Sequence, residues 1–202
     1  MPGFKTEGII LKRRNFGEAD RILTVFSLHR GKISVMAKGV RRITSRRAGN
    51  VELLNRVQMF LYPGKQFLLL TEATSVNTYQ KLKEDLTLST YAYHIIELID
   101  KLTAENQENR NLYIEIVEVL KRLERNPRQI LVRAFEAKIL SNLGFVRFKE
   151  ELIKKLETSS WDEIEKMKVT QKEALELERI LRYHVERVIE GKLNAREFLK
   201  KI

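Results

Sequence analysis

The stretch GIILKRRNFGEADRILTVFSLHRGKISVMAKGVRR, from Gly8 to Arg42, decides the fold of the first part of this chain. It contains three short runs that are rich in β-branched and apolar residues, GIILKR, RILTVFSL and KISVMAKG. Turn signals separate these runs at Gly17 and Gly31. In the third run, Ile33 and Val35 recur at every second position, which is typical of a half-buried strand. The stretch therefore predicts three consecutive strands.

Two more runs of the same kind, VQMFLY and QFLLLTEA, follow on either side of the turn Tyr62-Pro63-Gly64-Lys65. Five short strands in so short a span predict a small closed or nearly closed β-barrel, because closure removes the sheet edges that a meander would leave exposed. An SH3-like barrel fits the strand count equally well.

The pattern changes to helical periodicity after residue 80. The segment YAYHIIELIDKL and the segment NLYIEIVEVLKRLERN each place apolar residues three and four positions apart. A further helix is predicted from Pro127 to Gly144, since proline suits the first helical turn and glycine the left-handed residue after the last. Reciprocal capping boxes are predicted at Ser160 with Glu163, at Thr170 with Glu173 and, more loosely, at Asn194 with Glu197. Gly191 is expected to close the helix that starts near Gln171.

Charge and glycine both place a boundary near residue 80. Residues 1–80 hold 14 Lys and Arg against 5 Asp and Glu, a net charge of +9, whereas residues 81–202 hold 24 against 22, a net charge of +2. Seven of the nine glycines also precede the boundary. We therefore predict an α+β protein, with a β-barrel domain at 1–80 and an all-α domain at 81–202.

The composition narrows the classes of partner and compartment. The chain of 202 residues has a formal net charge of +11, which favours polyanions such as nucleic acid, acidic membrane surfaces or acidic proteins. It has no cysteine, which excludes disulfides and thiolate metal sites and fits a reducing cytosol. We see neither a signal peptide nor an apolar run long enough to span a bilayer, and we expect a cytoplasmic protein.

Convergent catalytic groups are not apparent in the sequence. The three histidines, His29, His94 and His184, are scattered, and His94 lies beside an apolar helix stripe where a structural role is expected. There is no phosphate-binding glycine loop or serine nucleophile elbow. Glu18 and Asp20 lie among arginines, so local ion pairs account for them more simply than an acid pair does. We predict a non-enzymatic protein without cofactor, metal or small-molecule substrate.

The segment KGVRRITSRR, from Lys38 to Arg47, has five basic side chains and no acid, and it is predicted to bind phosphates. Unpaired bases additionally need aromatic faces for stacking, and Phe16 in the first turn is the best candidate. Binding is expected to depend on backbone charge with little sequence preference. The candidate DNA-binding residues are Lys12, Arg13, Arg14, Phe16, Lys32, Lys38, Arg41, Arg42, Arg46 and Arg47.

Several of these segments together resemble the bacterial recombination mediator family RecO. The matching pieces are the acidic turn GEAD at 17–20, Gly31-Lys32, AKGVRR at 37–42, RAFEAKILSNLGF at 133–145 and EGKLNAREFLKKI at 190–202. The resemblance covers roughly residues 4–80, 127–145 and 180–202. It implies an OB-fold barrel followed by a helical domain.

The resemblance also implies a function and partners. Members of this family bind single- and double-stranded DNA, anneal complementary strands and, with the partner RecR and without ATP, load the recombinase onto DNA coated by single-strand binding protein. The acidic tail of single-strand binding protein docks on the helical domain of relatives, and Arg133 matches an arginine of that site. The alternative for Arg133 is an ion pair with an acid on a nearby helix.

One departure from the family concerns metal. Many members carry four cysteines after the segment that corresponds to LGF, as a zinc site, and residues 146–169 contain none. The segment looks shortened and helical, so we predict no zinc. Apolar contacts of Leu152, Ile153, Leu156 and Trp161 are expected to stabilise it instead.

Two other functions remain open from the sequence. An RNA-binding barrel with a helical partner domain would also bind polyanions, but it would not accelerate DNA annealing. A structural adaptor whose basic loop docks an acidic protein would bind that protein in preference to oligonucleotides.

Overall fold

A computed structural model describes residues 2–190 and residue 193. The chain divides into two compact units. The first comprises the described residues of Met1–Gln80 together with Thr103–Tyr113, and the second comprises those of Lys81–Leu102 and Ile114–Ile202. The segment 103–113, which follows a long helix in the sequence, thus belongs with the barrel.

The first unit is a closed five-stranded barrel. Its strands are β1 (Phe4–Phe16), β2 (Asp20–Ser27), β3 (Gly31–Ala37), β4 (Arg56–Pro63) and β5 (Leu68–Asn77). They close in the order β1-β2-β3-β5-β4, and all pairs are antiparallel except β3 with β5. This is the strand order of the OB-fold, so the α+β class and the OB-type barrel are confirmed.

Strand β1 closes the barrel because it is long enough to pair on both edges. Its first half, Phe4–Ile9, pairs with β4, and its second half, Gly8–Phe16, pairs with β2. A register shift between Ile10 and Lys12 marks a β-bulge, which bends the strand where it changes partners. The sequence pattern predicts only the central part of β1, because polar residues dominate both of its ends.

The interior of the barrel is filled by aliphatic side chains from every strand. The buried cluster consists of Ile10, Leu23, Val25, Ile33, Val35, Ala37, Val40, Val51, Val57, Met59, Leu61 and Leu70. Because successive side chains of a strand point to opposite faces, these residues define which positions face inward and which outward.

The segment 103–113 packs against one end of the barrel through backbone contacts. The Asn106 amide donates a 2.8 Å hydrogen bond to the carbonyl oxygen of Lys32. Gly31 has a φ of +61°, and a Cβ there would lie 1.8 Å from the carbonyl oxygen of Gln107. Only glycine satisfies both the left-handed backbone and this close approach.

A polar cluster ties the far end of the same segment to β1. The Tyr113 hydroxyl donates a 2.8 Å hydrogen bond to Glu7 Oε1, and Arg56 Nε donates to the same oxygen at 2.7 Å. Burial and the hydrogen bond to Glu7 raise the pKa of the Tyr113 phenol. Tyr113 therefore remains a neutral donor.

Seven helices lie within the described residues. They are α1 (Gln80–Glu84), α2 (Leu86–Leu102), α3 (Arg110–Arg125), α4 (Gln129–Asn142), α5 (Glu151–Thr158), α6 (Trp161–Lys166) and α7 (Gln171–Val188). They belong to the second unit, except that Gln80 of α1 and residues 110–113 of α3 are part of the first. None of the helices in residues 2–190 has the length and apolar character needed to cross a membrane.

Helix ends follow the predicted signals closely. Gly144 has a φ of +74° and its amide donates to the Ser141 carbonyl oxygen, which closes α4. Ser160 with Glu163 and Thr170 with Glu173 form complete capping boxes at the starts of α6 and α7. The predicted roles of Gly191, of Asn194 with Glu197 and of the 190–202 segment lie outside the described residues, apart from Glu190 and Leu193.

The segment that follows α4 is helical, and apolar and ionic contacts hold it together. Ile153, Leu156 and Trp161 are buried as expected, whereas Leu152 is half-buried. Trp161 Nε1 donates a 2.6 Å hydrogen bond to Glu115 Oε2 on α3. Lys138 Nζ on α4 donates to two carbonyl oxygens at the end of α5. The ammonium group of Lys138 thus attaches the end of α5 to α4, and the indole of Trp161 attaches α6 to α3.

Candidate nucleic-acid interface

The alternation of β1 sorts the predicted DNA-binding residues of that strand onto two faces. Lys12, Arg14 and Phe16 lie on the outer face, since the paired β2 positions that face inward, Leu23 and Val25, align with Arg13 and Ile10. All three side chains are exposed, and Phe16 retains 48% of its accessible surface. Two cations and an aromatic ring therefore lie in a row on the exposed face of β1, and we call Lys12, Arg14 and Phe16 the outer strip.

Arg13 lies on the opposite face of β1, since it pairs with the inward-facing Leu23. Its guanidinium forms an ion pair with Glu52, and the same carboxylate accepts a 3.1 Å hydrogen bond from Arg21. Glu52 thus neutralises part of the positive charge that the sequence places near the first turn. Glu52 was not among the residues singled out from the sequence, because it lies 39 positions from its partner.

The outer strip leads across the sheet to the basic loop. Phe16 on β1 pairs with Asp20 on β2, and the next β2 residue, Arg21, pairs with Ala37 at the end of β3. Asp20 therefore lies next to Lys38, the first residue after β3. The Asp20 carboxylate accepts a 2.7 Å hydrogen bond from the backbone amide of Gly39. This contact anchors the start of the basic loop, which we define as Lys38–Arg47, to the β1–β2 turn.

Two arginines of the basic loop hold its shape. Arg47 donates to the Lys38 carbonyl oxygen at 2.8 Å and to the Leu70 carbonyl oxygen at 2.6 Å. Arg41 donates to the Gly17 carbonyl oxygen at 3.1 Å. Carbonyl oxygens are neutral acceptors, so both guanidinium groups retain their full positive charge while they fix the loop.

This side of the barrel carries further basic side chains besides Arg41 and Arg47. Four of them make no side-chain hydrogen bond or ion pair with any described residue: Arg14, Lys38, Arg42 and Arg46. All four are exposed. A side chain that is charged, exposed and unpaired is available to a phosphate without first breaking a protein contact.

The basic loop borders an open cavity of about 600 Å³. Its lining consists of Asp20, Lys38, Gly39, Arg42, Thr44, Ser45, Arg46 and Arg47. Four cations thus face one carboxylate, and that carboxylate is already hydrogen-bonded to Gly39. The cavity is therefore suited to an anion.

Lys32 lies away from this surface. It lies six positions before Lys38 along an extended strand, or about 20 Å away. Its carbonyl oxygen accepts from Asn106, at the end of the barrel that the segment 103–113 covers. The structure thus brings Lys12, Arg14, Phe16 and the basic loop to one side, and places Lys32 at the other end of β3.

Arg133, the candidate for the partner tail, lies in the helical unit and is 95% buried. Its guanidinium donates to both carboxylate oxygens of Glu136, at 2.9 and 3.1 Å, and lies 3.7 Å from Glu178. Burial lowers the pKa of Arg133, but Glu136 and Glu178 outweigh it, so that the net effect is a raised pKa. The ion pair with a nearby acid, which the sequence left open, is present.

Glu136 also binds His94, through a 2.7 Å contact between Oε1 and Nε2, and both side chains are fully buried. His94 thus has the structural surroundings expected of it. One edge of Arg133 still lines a cavity of about 250 Å³ between α4 and α7, and its buried Nε has no hydrogen-bond partner among the described residues. The other lining residues are Arg128, Gln129, Ile130, Val169, Ala174 and Leu177.

Two protein-family models match this chain, one in the barrel and one in the helical unit. Residues 1–79 match the model described as recombination protein O N terminal, and residues 83–146 match the one described as recombination protein O C terminal. These two matches cover most of the chain and fall on the barrel and on helices α2 to α4.

Similar proteins carry the same family name. The DNA repair protein RecO of Acetivibrio thermocellus is 35% identical over 157 residues, which cover 76% of this chain and 62% of that relative. The one of Pelotomaculum thermopropionicum is 35% identical over 145 residues, which cover 72% of this chain and 57% of the relative. The chain thus spans less than two thirds of the length of these relatives.

A third relative aligns over nearly its whole length. The DNA repair protein RecO of Desulforamulus reducens is 26% identical in an alignment that covers 100% of this chain and 96% of the relative. The aligned length of 245 positions exceeds the 202 residues of this chain, so that relative has insertions that this chain lacks. By its two family matches and its similarity to these proteins, the chain belongs to the RecO family.

Proposed function

We propose that this chain is a non-enzymatic mediator of DNA repair and homologous recombination, which binds single- and double-stranded DNA and promotes the annealing of complementary strands. The observation that carries the proposal is a set of exposed cations on one side of the barrel whose side chains have no partner in the described part of the chain. Arg14, Lys38, Arg42 and Arg46 all belong to it.

Such a surface promotes annealing by a simple electrostatic route. Two complementary strands repel each other through their phosphates, and bound cations lower that repulsion while they release counterions. The cations lie on an outer strand face and a loop, and none lies on a helix placed to read base edges in a major groove. Binding is therefore expected to tolerate any sequence.

The proposal extends to the partners that the family implies, RecR and the acidic tail of single-strand binding protein, with recombinase loading as the outcome. Arg133 is the proposed contact for the tail. The cavity that it lines combines an arginine edge with Ile130 and Leu177, which suits a carboxylate next to an apolar side chain. The names of the relatives support a role in DNA repair.

The binding part of the proposal is tested by the salt dependence of affinity. Contacts with about five phosphates of a single strand predict a slope of log K against log salt of about −3 to −4. The double variant Arg42→Ala/Arg46→Ala should flatten this slope by about 1.4. Lys154→Ala/Lys168→Ala changes the net charge equally on the helical unit and should leave the slope unchanged. A wild-type slope near zero would refute the proposal.

The annealing part is tested with complementary DNA strands coated by single-strand binding protein. The wild-type chain should accelerate duplex formation, and Arg42→Ala/Arg46→Ala should lose most of the acceleration. An RNA-binding module would bind strands without accelerating their annealing. An adaptor for an acidic protein would be displaced poorly from that protein by oligonucleotides.

A further inference from the structure

Two cavities lie side by side on the barrel, and Lys38 lines both. The first is the cavity that the basic loop borders. The second, of about 560 Å³, lies at the β4–β5 turn and is lined by Met36, Lys38, Pro63, Gly64, Lys65, Gln66, Phe67 and Leu69. We call them the loop cavity and the turn cavity.

The topology of the barrel explains why these cavities adjoin. Strands β3 and β5 pair in parallel, with Val35 opposite Leu68 and Met36 opposite Leu69. The end of β3, where the basic loop begins, therefore lies beside the start of β5, where the β4–β5 turn ends. Arg47 then joins the loop to β5 through its hydrogen bond to Leu70.

The loop cavity has the chemistry of a phosphate site. Beside its four cations it contains Ser45, whose hydroxyl oxygen is buried and has no hydrogen-bond partner among the described residues. A buried hydroxyl without a partner is costly unless something binds it. A phosphate oxygen would accept from this hydroxyl and from the neighbouring guanidinium groups at once.

The turn cavity has the chemistry of a base site. Met36, Pro63, Phe67 and Leu69 give it an apolar lining, and Lys65 and Gln66 supply polar groups. Phe67 is half-buried, so part of its ring is accessible. No acid lines this cavity. An aromatic ring with apolar neighbours is what an unpaired base stacks on, whatever its identity.

We infer that the two cavities form one nucleotide site, in which the loop cavity holds a backbone phosphate and the turn cavity holds an unpaired base next to it, with Lys38 between the two. The inference rests on the proposed function and specifies it. A paired base is stacked inside a duplex and cannot enter the turn cavity, so the site selects single-stranded over double-stranded DNA.

The test compares two labelled probes of twelve nucleotides, one of thymidines and one of abasic sugars on the same phosphate backbone. Wild-type protein should bind the thymidine strand about tenfold more tightly than the abasic strand. Phe67→Leu should remove most of that difference and leave both the abasic affinity and the salt slope unchanged. Tyr62→Leu, at an exposed aromatic that does not line the turn cavity, should keep the difference.

Ser45→Ala tests the phosphate half of the site. It should weaken binding of the thymidine and the abasic strands by the same factor, about tenfold or more, which is the loss expected for one hydrogen bond to a charged group. Thr74→Val, at an exposed position of β5 that lines neither cavity, is the control and should bind as the wild type does. Thermal melts of each variant show that the fold is intact.

The possible outcomes separate this inference from the proposed function. Equal wild-type affinity for both strands, with no effect of Phe67→Leu, overturns the base site while nucleic-acid binding stands. Failure of every strand to bind overturns both proposals. Binding of a twelve-residue glutamate peptide as tightly as the abasic strand shows that the loop cavity takes an acidic protein, and it also overturns the inference.

Discussion

The guanidinium of Arg47 donates a 2.8 Å hydrogen bond to the carbonyl oxygen of Lys38, the first residue of the basic loop. The same side chain reaches the carbonyl oxygen of Leu70 on β5. One arginine therefore closes the loop on itself and fastens it to the barrel. Its neighbour Arg46 is exposed and makes no such contact within the described part of the chain.

This difference predicts unequal effects of two adjacent substitutions. Arg47→Ala should lower the free energy of unfolding by about 1–3 kcal/mol, since it removes charge-assisted hydrogen bonds, and should weaken DNA binding more than one lost charge does. Arg46→Ala should leave stability unchanged and reduce the salt slope by about 0.7. Urea unfolding and salt titrations measure both quantities. Equal stability losses would contradict the assignment.

Glu52 restrains the positive potential of the barrel, because it pairs with Arg13 and Arg21. Glu52→Gln should raise DNA affinity severalfold at low salt and steepen the salt slope, since two guanidinium groups become available. Glu72→Gln removes one charge from an exposed position of β5 and serves as the control. Fluorescence anisotropy with one oligonucleotide compares them, and a larger gain for Glu72→Gln would reject this role.

In the helical unit, Glu178 lies 3.7 Å from Arg133, and its side chain is 35% exposed. A carboxylate that enters the adjoining cavity would compete with Glu178 for the same guanidinium. Glu178→Gln should therefore strengthen binding of a peptide with an acidic, phenylalanine-terminated tail by a few fold. Glu176→Gln, on an exposed position of the same helix, should have no effect. Calorimetric titration gives both affinities.

The capping boxes predict a loss of stability in acid. The hydrogen bonds from the Thr170 hydroxyl and backbone amide hold the pKa of Glu173 below its usual 4.5, and those from Ser160 do the same for Glu163. A carboxyl whose pKa is depressed in the folded state stabilises the fold above its unfolded pKa and loses that contribution as the pH falls through the folded value. The melting temperature of Glu163→Gln/Glu173→Gln should therefore be lower than that of the wild type at pH 7, and the difference should shrink as the pH falls through the depressed pKa values of the two carboxyls.

Among the glycines that the structure describes, Gly31 is the one at which an added Cβ would lie closest to another atom, the Gln107 carbonyl oxygen. Gly31→Ala should separate the segment 103–113 from the barrel and lower the free energy of unfolding by several kcal/mol, because strain at positive φ adds to a steric clash. Gly17→Ala is the control: Gly17 also has a positive φ, but an added Cβ would meet open space, so this variant measures the loss of stability from backbone strain alone. Similar losses in both variants would show that the clash relaxes.

Local signals in the sequence are sufficient to predict much of the fold. The five strands, the change to helices near residue 80, the glycine that closes α4 and both capping boxes depend on residues close together in the chain. The parallel β3–β5 pair and the addition of 103–113 to the barrel depend on contacts between distant segments, which periodicity does not reveal. The early start of β1 at Phe4 depends likewise on its pairing with β4.

The candidate site shows the same division. Composition indicates a basic loop, but it cannot distinguish Arg42, whose side chain makes no hydrogen bond or ion pair with the described residues, from Arg47, whose acceptor on β5 lies 23 residues away. The turn cavity was not foreseen for the same reason. Lys65 and Gln66 become neighbours of the basic loop only when β3 pairs with β5.

The addition of Thr103–Tyr113 to the barrel unit has a consequence for synthesis on the ribosome. The whole of α2, Leu86–Leu102, is translated between the last strand and the piece that contacts Gly31 and Glu7. A nascent chain that has just emerged through Asn77 therefore has all five strands but lacks the residues that cover one end of them. The barrel can reach its final state only after Tyr113 has emerged from the ribosome, and by then the whole of α2 has emerged as well.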